Sequence, residues 1–281
     1  MIKIRVPATS ANLGPGFDTL GIALSLYNTY TIELSDEYQL LGFKKKYTNE
    51  NNLCLKAYKE VFKILNKEEI KVKITIEQNI PNSGGLGSSA NVIIAGVVGA
   101  NMMLGDILSK EEMINIACMI EGHPDNVIPA FVGSLVSSVK LDDGKCLYFK
   151  YSVSDKFLFN VLVPPFSLST EKMRKCLPVK ISYKDAIFNL SRAINVPYAL
   201  NNSDISILKE LMRDKMHQDY RVKYIDNAID VFNWCEDNNC VGLISGSGAS
   251  LLVISDREIE NDFKGFELIK LKVDCDGVKV W

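Results

Sequence analysis

Apolar positions along the chain recur at two spacings, and each predicts a different element. Alternation marks strands: a short run at Ile2–Val6, a long one rich in β-branched residues at Leu20–Leu34, and VKITIEQ from Val72 to Gln78. Between the first two lies PATSANLGPGFD, where two glycines and two prolines predict a loop. Helical spacing appears from Asn52 to Leu65, with Leu55, Tyr58, Phe62 and Leu65 on one face. Further helices are expected from near Ser88, from Lys110 to Glu121, and briefly after Pro124, followed by a strand in GSLVSSV from Gly133. The second half opens on a buried strand, Phe157–Val163, with helices from about Thr170, Tyr183, Asp204 and Val222. The last of these would present Ile225, Ala228, Ile229 and Phe232 on one face. Strands at Cys240–Ile244 and Ala249–Ile254 flank a GSG turn, and a final strand is expected at Phe266–Val273. The pattern predicts an α+β protein with helices packed on sheets. Polar residues from Ser152 to Lys156 separate two strand-like runs, which divides the chain into residues 1–153 and 154–281.

A chain of 281 residues suits one large domain or two modest ones and can bury a core without staples. Apolar residues make up 47% and charged residues 23%, which excludes disorder. The net charge of -2 argues against a broad basic face for nucleic acid. The most apolar stretch, Ala90–Leu104, carries Asn91 and Asn101 and is too short to span a bilayer, so it is expected to be a buried helix with no membrane partner. MIKIRVP has neither the apolar run nor the cleavage site of a signal peptide, and a cytoplasmic protein is expected. The seven cysteines include no C-x-x-C pair and are odd in number, so buried reduced thiols are expected in place of a zinc site or disulfides.

The most informative local feature is PNSGGLGSSA, which follows a strand and opens a helix. A helix N-terminus carries unpaired N–H groups and a partial positive charge, so it attracts anions. Gly84, Gly85 and Gly87 lack a Cβ and let backbone approach an oxyanion. Ser88 and Ser89 can cap the helix and donate hydroxyls. Phosphate is the natural ligand. The loop has no lysine, so amides, the helix dipole and a bound metal ion would neutralise the charge. The plainer alternative is a loop whose glycines turn a corner and whose serines cap. The Walker pattern is absent. Gly85, Gly87 and Ala90 fit G-x-G-x-x-A, but a second helix follows where a dinucleotide fold needs a strand ending in an acid.

Three stretches, PATSANLGPGFDTLG (Pro7–Gly21), PNSGGLGSSA (Pro81–Ala90) and GLISGSGAS (Gly242–Ser250), together resemble in order and spacing the three motifs of the GHMP kinases. The first motif and EGHPDNV (Glu121–Val127) resemble the homoserine kinase branch. The third differs from the frequent SGSGPT, with Ala249 and Ser250 in place of Pro and Thr, while Gly246 and Gly248 keep the turn. The resemblance implies the GHMP kinase fold: an N-terminal ATP-binding domain like ribosomal protein S5 domain 2, a C-terminal ferredoxin-like domain, and an active site between them.

It further implies ATP and Mg2+, with L-homoserine as acceptor and threonine biosynthesis as the setting. The nucleotide would be held by Pro81, Asn82, Ser83, Gly84, Gly85, Leu86, Gly87, Ser88, Ser89, Ala90 and Asn91, with Asn52 near adenine. Asn52 is equally suited to cap the helix that starts at Leu53. Ser88 and Glu121 fit as magnesium ligands. Asp18 would meet the amino or hydroxyl end of the acceptor, and Arg174 and Arg221 would grip its carboxylate. Asn12, His123 and Thr170 fit as supporting contacts, although Asn12 could serve loop backbone and His123 could cap a turn. At the catalytic position stands Asn126 with Asp125 beside it; Asn126 would orient the hydroxyl, and a loose transition state would make a base dispensable.

Two other functions fit less well. A GHMP kinase for mevalonate or phosphomevalonate would have no ammonium to pair with Asp18. A binding protein without catalysis would not need both the glycine loop and Glu121. Relatives are often homodimers, which makes a homodimer an expectation by resemblance alone.

Overall fold

The computed structural model describes residues 1–82, 84–202 and 204–281. The first half supplies β1 (Ile2–Ala11), β2 (Leu20–Leu34), β3 (Gln39–Leu41), α1 (Leu53–Ile64), β4 (Val72–Glu77), α2 (Ser88–Met103), α3 (Lys110–Glu121), α4 (Pro124–Val132), β5 (Leu135–Lys140) and β6 (Cys146–Tyr151). The second half supplies β7 (Leu158–Val163), α5 (Thr170–Lys175), α6 (Tyr183–Ala193), α7 (Val196–Asn202), α8 (Ile205–Leu211), α9 (Gln218–Arg221), α10 (Ala228–Asp237), β8 (Val241–Ile244), β9 (Leu251–Ser255), β10 (Glu267–Leu271) and β11 (Lys279–Val280). The result is α+β, as the alternating and helical spacings predict.

One sheet runs β11-β1-β2-β4-β3, with β5 paired to the other end of β2 and β6 to β5. The second runs β10-β7-β9-β8 and is antiparallel throughout. In chain order that is 4-1-3-2, the ferredoxin-like arrangement. The first sheet reaches Tyr151 and the second opens at Leu158, and we propose the division between units at 153/154. One strand crosses it: β11, from the end of the chain, pairs with β1.

Three apolar clusters fill the interior. Ile4, Val6, Tyr30 and Ile32 pack with α1, α2, α3 and α4 on the helix side of the first sheet. Ala8, Leu20, Ile22 and Leu24 pack with Phe159, Val161, Leu243 and Leu252 between the two sheets. A third cluster joins the second sheet to α10. The change of face along β1 and β2 has a local cause. The register shifts between Pro7 and Ala8, where β2 carries Ser25 and Leu26 as extra residues. Such a bulge re-aims the side chains beyond it. Ile4 and Val6 therefore lie on the helix side, Ala8 between the sheets, and Thr9 points at α4.

Several elements depart from the sequence expectations. Pro7–Ala11 is strand and not loop, because it pairs with Gly21–Tyr27 across the bulge. No helix starts at Val222: α9 is a single turn, Val222–Tyr224 is 3-10, and α10 begins at Ala228. Its buried face is Ala228, Val231 and Cys235, while Ile229 is exposed. The short β3, β6 and β11 and helix α7 were not foreseen. All seven cysteines are free; Cys54, Cys118, Cys235 and Cys240 are buried, but Cys146 and Cys176 are half-buried and Cys275 is exposed. No helix among the described residues is long and apolar enough to cross a membrane.

Gly21 fixes how closely α4 lies on the first sheet. A Cβ there would stand 1.9 Å from the carbonyl oxygen of Asp125. Gly21→Ala should therefore cost about 3 kcal/mol, because backbone must move. Gly105→Ala, where nothing lies within 4 Å and only the left-handed φ of +87° opposes a side chain, should cost about 1 kcal/mol. Urea unfolding of both variants tests this; equal losses would count against the contact.

Candidate active site

The three glycine-containing stretches meet at one place. Ser250 Oγ donates to the Gly84 carbonyl at 2.8 Å, and Ser245 Oγ donates to the Gly85 carbonyl at 2.6 Å. Ser245 Oγ also lies 2.8 Å from Ser10 Oγ, and Gly246 N–H donates to Ala11 O at 3.0 Å. A Cβ on Gly84 or Gly85 would strike the backbone of the loop between β8 and β9, at 2.6 Å from Gly248 O and 2.3 Å from Ser245 O. A Cβ on Gly87 would meet Thr9 Oγ1 at 2.0 Å. These glycines thus do more than turn a corner: they admit the neighbouring chain.

Gly87, left-handed at φ 66°, is the N-cap of α2 and offers no side-chain cap to the first turn. Ser88 and Ser89 are not caps, because they sit one and two places inside the helix. Their hydroxyls go elsewhere: Ser89 donates to Glu121 Oε2 at 2.6 Å, and Ser88 makes a long 3.5 Å bond to Pro81 O. The open first turn and its uncommitted amides are what an anion needs.

Three residues assigned to the nucleotide have side chains turned inward. Leu86 and Ala90 are fully buried in apolar clusters. Asn91 is buried and has all four hydrogen-bond positions filled. Its Oδ1 accepts from Tyr30 and Asn28, and its Nδ2 donates to the carbonyls of Val6 and Pro7. It ties α2 to the first sheet and leaves no side-chain group for a ligand. Ser83 lies outside the described residues.

Two cavities meet at the start of α2. One, of about 240 Å³, is lined by Phe43, Lys44, Tyr47, Asn52, Leu53, Asn82, Ser88 and Ser89, among others. The other, of about 160 Å³, is polar and lined by Asn12, Gly84, Gly85, Gly87, Ser88, Ser89, Glu121, His123, Asp125, Asn126, Thr170, Arg174, Arg221, Gly246 and Ser247. Asn52 caps α1 through Leu55 N–H and donates to Tyr47 O, and it also lines the first cavity, so both of its expected roles are compatible.

In the polar cavity Asp18 and Arg174 hold each other through two parallel bonds of 2.7 and 2.8 Å. Asn12 Oδ1 accepts from Asp18 N–H at 2.8 Å and so shapes the turn that presents this carboxylate. Arg221 is 1% exposed; its Nε binds Met173 O and its Nη1 binds Gly246 O, which leaves Nη2 for the cleft. Thr170 Oγ1 lies 3.2 Å from Ser247 Oγ. Asn126 Oδ1 accepts from Thr9 Oγ1 at 2.8 Å, which fixes the amide with its nitrogen free. Asp125 is buried, and its Oδ1 has no hydrogen-bond partner. Burial, reinforced by the Asp18 carboxylate, pushes the acid up to about 7. Burial likewise raises Glu121 and lowers His123, whose Nδ1 lies 3.8 Å from Asp125 Oδ1.

Comparison with known proteins gives this geometry a lineage. Residues 52–134 match the family described as GHMP kinases N terminal domain. Over its whole length the chain is 42% identical to the homoserine kinase of Clostridium botulinum (strain ATCC 19397 / Type A), covering 96% of that protein. The chain belongs to the homoserine kinase family of GHMP kinases. A homoserine kinase of Clostridium acetobutylicum is also 42% identical, over 99% of this chain and 94% of that one. The solved homoserine kinase of Cytophaga hutchinsonii superposes with a TM-score of 0.89 at 26% identity, covering all of this chain and 97% of that one. Membership makes the chain an ATP-dependent small-molecule kinase with the α+β GHMP kinase fold.

Within the family motifs and outside them, the site uses residues to which sequence reasoning gave no role. Thr9 orients Asn126, Ser245 and Ser250 clamp the glycine loop, and Phe43, Lys44 and Tyr47 wall the larger cavity. Ser250 had a signal, since it holds the hydroxyl that threonine supplies in the usual motif. The others had none, because their partners are distant in sequence.

The raised Asp125 acid has a consequence for stability. The folded state prefers the neutral carboxyl, so the group's contribution is intact below the unfolded value near 3.8 and is lost as pH rises through about 7. Asp125→Asn removes that loss. In ligand-free protein the variant should gain on the wild type by about 2–3 kcal/mol between about pH 5 and pH 8. Parallel stability curves would show that Asp125 is not held in this way.

Proposed function

We propose that this protein transfers the γ-phosphoryl group of ATP to the side-chain hydroxyl of L-homoserine, giving O-phospho-L-homoserine and ADP in threonine biosynthesis. The observation that carries the reading is that Ser88 and Ser89 stand on the wall of both cavities. A nucleotide in the larger cavity would therefore end its phosphate tail beside the charged cleft. Asn52, Phe43 and Tyr47 would border the base, and the amides of Gly84–Ser89 would meet the triphosphate.

The acceptor is a zwitterion with a hydroxyl. Asp18 would take its ammonium, and Arg174 with Arg221 its carboxylate, so binding would exchange the internal Asp18–Arg174 pair for two pairs with substrate. Asn12, His123 and Thr170 would complete the polar wall. The donor set also suits magnesium, which prefers hard oxygens and few protein ligands. Among the described residues Ser88 Oγ makes one long hydrogen bond, and Glu121 is a desolvated carboxylate with Oε1 uncommitted by Ser89, so these two would hold the ion. When bound, it would supply charge neutralisation at the phosphates.

Catalysis would then rest on positioning and electrostatics. With its oxygen taken by Thr9, Asn126 would donate from Nδ2 to the acceptor hydroxyl and aim its oxygen at the phosphorus. Asp125, buried and poised near neutrality, is the group best placed to receive the proton late in transfer. Asn126→Ala should lower kcat about tenfold. Asp125→Asn should keep kcat within about tenfold if the transition state is loose, whereas a loss above about 10²-fold would make it a true base. A near wild-type Asn126→Ala would remove the orienting role. An ADP-release assay across several alcohols should give turnover with L-homoserine; turnover with mevalonate but not homoserine would overturn the substrate assignment.

A further inference from the structure

Behind Arg221 runs a buried chain of polar groups. Asp214 accepts from the N–H groups of Met216, His217 and Gln218, at 2.7–3.0 Å, and from Asn189 Nδ2 at 2.7 Å. Asn189 reaches on to Pro15 O at 3.2 Å. His217, fully buried, stands between the two sides of the acceptor cleft. Its Nε2 is 2.9 Å from Gly14 O, and its Nδ1 is 3.3 Å from Arg221 Nη1. A carbonyl only accepts and a guanidinium only donates, so a single arrangement satisfies both: a neutral ring with its proton on Nε2. Burial, with the neighbouring Arg221, favours that neutral ring; Asp214, 3.9 Å away, and hydrogen bonding to the Gly14 and Asn12 backbone oppose it without prevailing. The ring of Phe17 lies 5.5 Å from that of His217 and 5.2 Å from the Arg221 guanidinium.

We propose that His217 is a positioning residue for the acceptor site: its neutral imidazole fixes the plane of the Arg221 guanidinium against the Gly14–Asp18 turn. One ring thereby sets the distance between the arginine that would hold the carboxylate and the aspartate that would hold the ammonium. A planar fork makes two good bonds to a carboxylate only in one orientation, so a small rotation of Arg221 would weaken acceptor binding and leave the nucleotide side untouched. The inference rests on the homoserine reading only for the identity of the acceptor.

Steady-state kinetics of three variants tests it. His217→Leu should raise KM for homoserine about tenfold or more, the worth of a hydrogen bond to a charged group. KM for ATP should stay within about twofold. His217→Asn, which keeps an acceptor near the Nδ1 position, should recover most of the homoserine KM; His217→Gln, which keeps a donor toward Gly14, should recover less. If the leucine variant does not fold, the ordering of Asn over Gln carries the test. Both KM values rising together, an unchanged homoserine KM in a folded leucine variant, or Gln recovering more than Asn would overturn the proposal. A second measurement needs no substrate. The chain has two histidines, so ¹⁵N-histidine spectra can be assigned with one variant. His217 should show the Nε2–H neutral pattern from about pH 6 to 8; an imidazolium or the opposite tautomer there would also overturn it. A wild type inactive on homoserine would sink the substrate assignment alone, and the KM comparison would pass to whichever alcohol it phosphorylates.

Discussion

Everything at the site depends on two hydroxyl-to-carbonyl bonds, Ser245 to Gly85 and Ser250 to Gly84. They fasten a loop of the second sheet onto the glycine loop of the first, with glycine the only residue that leaves room. A buried bond of this kind contributes only about 1 kcal/mol net, but leaving its carbonyl unpaired costs more. The bonds therefore specify a geometry more than they add stability. Through them the first turn of α2 faces Arg221 and Thr170, which come from the second half of the chain.

The bulge in β2 has a comparable influence. By exchanging faces at Pro7/Ala8 it lets one strand serve three layers: Ile4 and Val6 for the helix-side core, Ala8 for the core between sheets, and Thr9 for Asn126. Gly21 then allows α4 to approach until Asp125 and Asn126 reach the cleft. Packing and chemistry are set by the same local irregularity.

How much was legible in the sequence follows from range. Alternation and helical spacing are local, so β2, α1, α2 and α3 were placed closely. The glycine loop carries its own chemistry, so the sequence alone suggests it as an anion site. Asn91 lies close to the loop in sequence, but neighbouring helix residues point about 100° apart, and its side chain turns into the core. α10 was displaced because a run of apolar residues does not reveal the 3-10 turn that interrupts it. The partners of Thr9 and Ser245 lie far away in sequence, as does the Gly14 carbonyl that meets His217, and no periodicity encodes them. Arg221 could be named through family motifs, yet its burial, and the imidazole behind it, belong to the tertiary structure alone.

The mutual grip of Asp18 and Arg174 has one more implication. A guanidinium and a carboxylate bonded in parallel cancel each other at a distance, and the chain as a whole carries little net charge. The pair itself therefore adds little to whatever field the cleft casts into solvent. A molecule bearing one charge must pry the pair apart and strand one partner. One that bears both can trade places with each. If the pair meets the acceptor as proposed, discrimination by it is exercised at touching distance, after arrival.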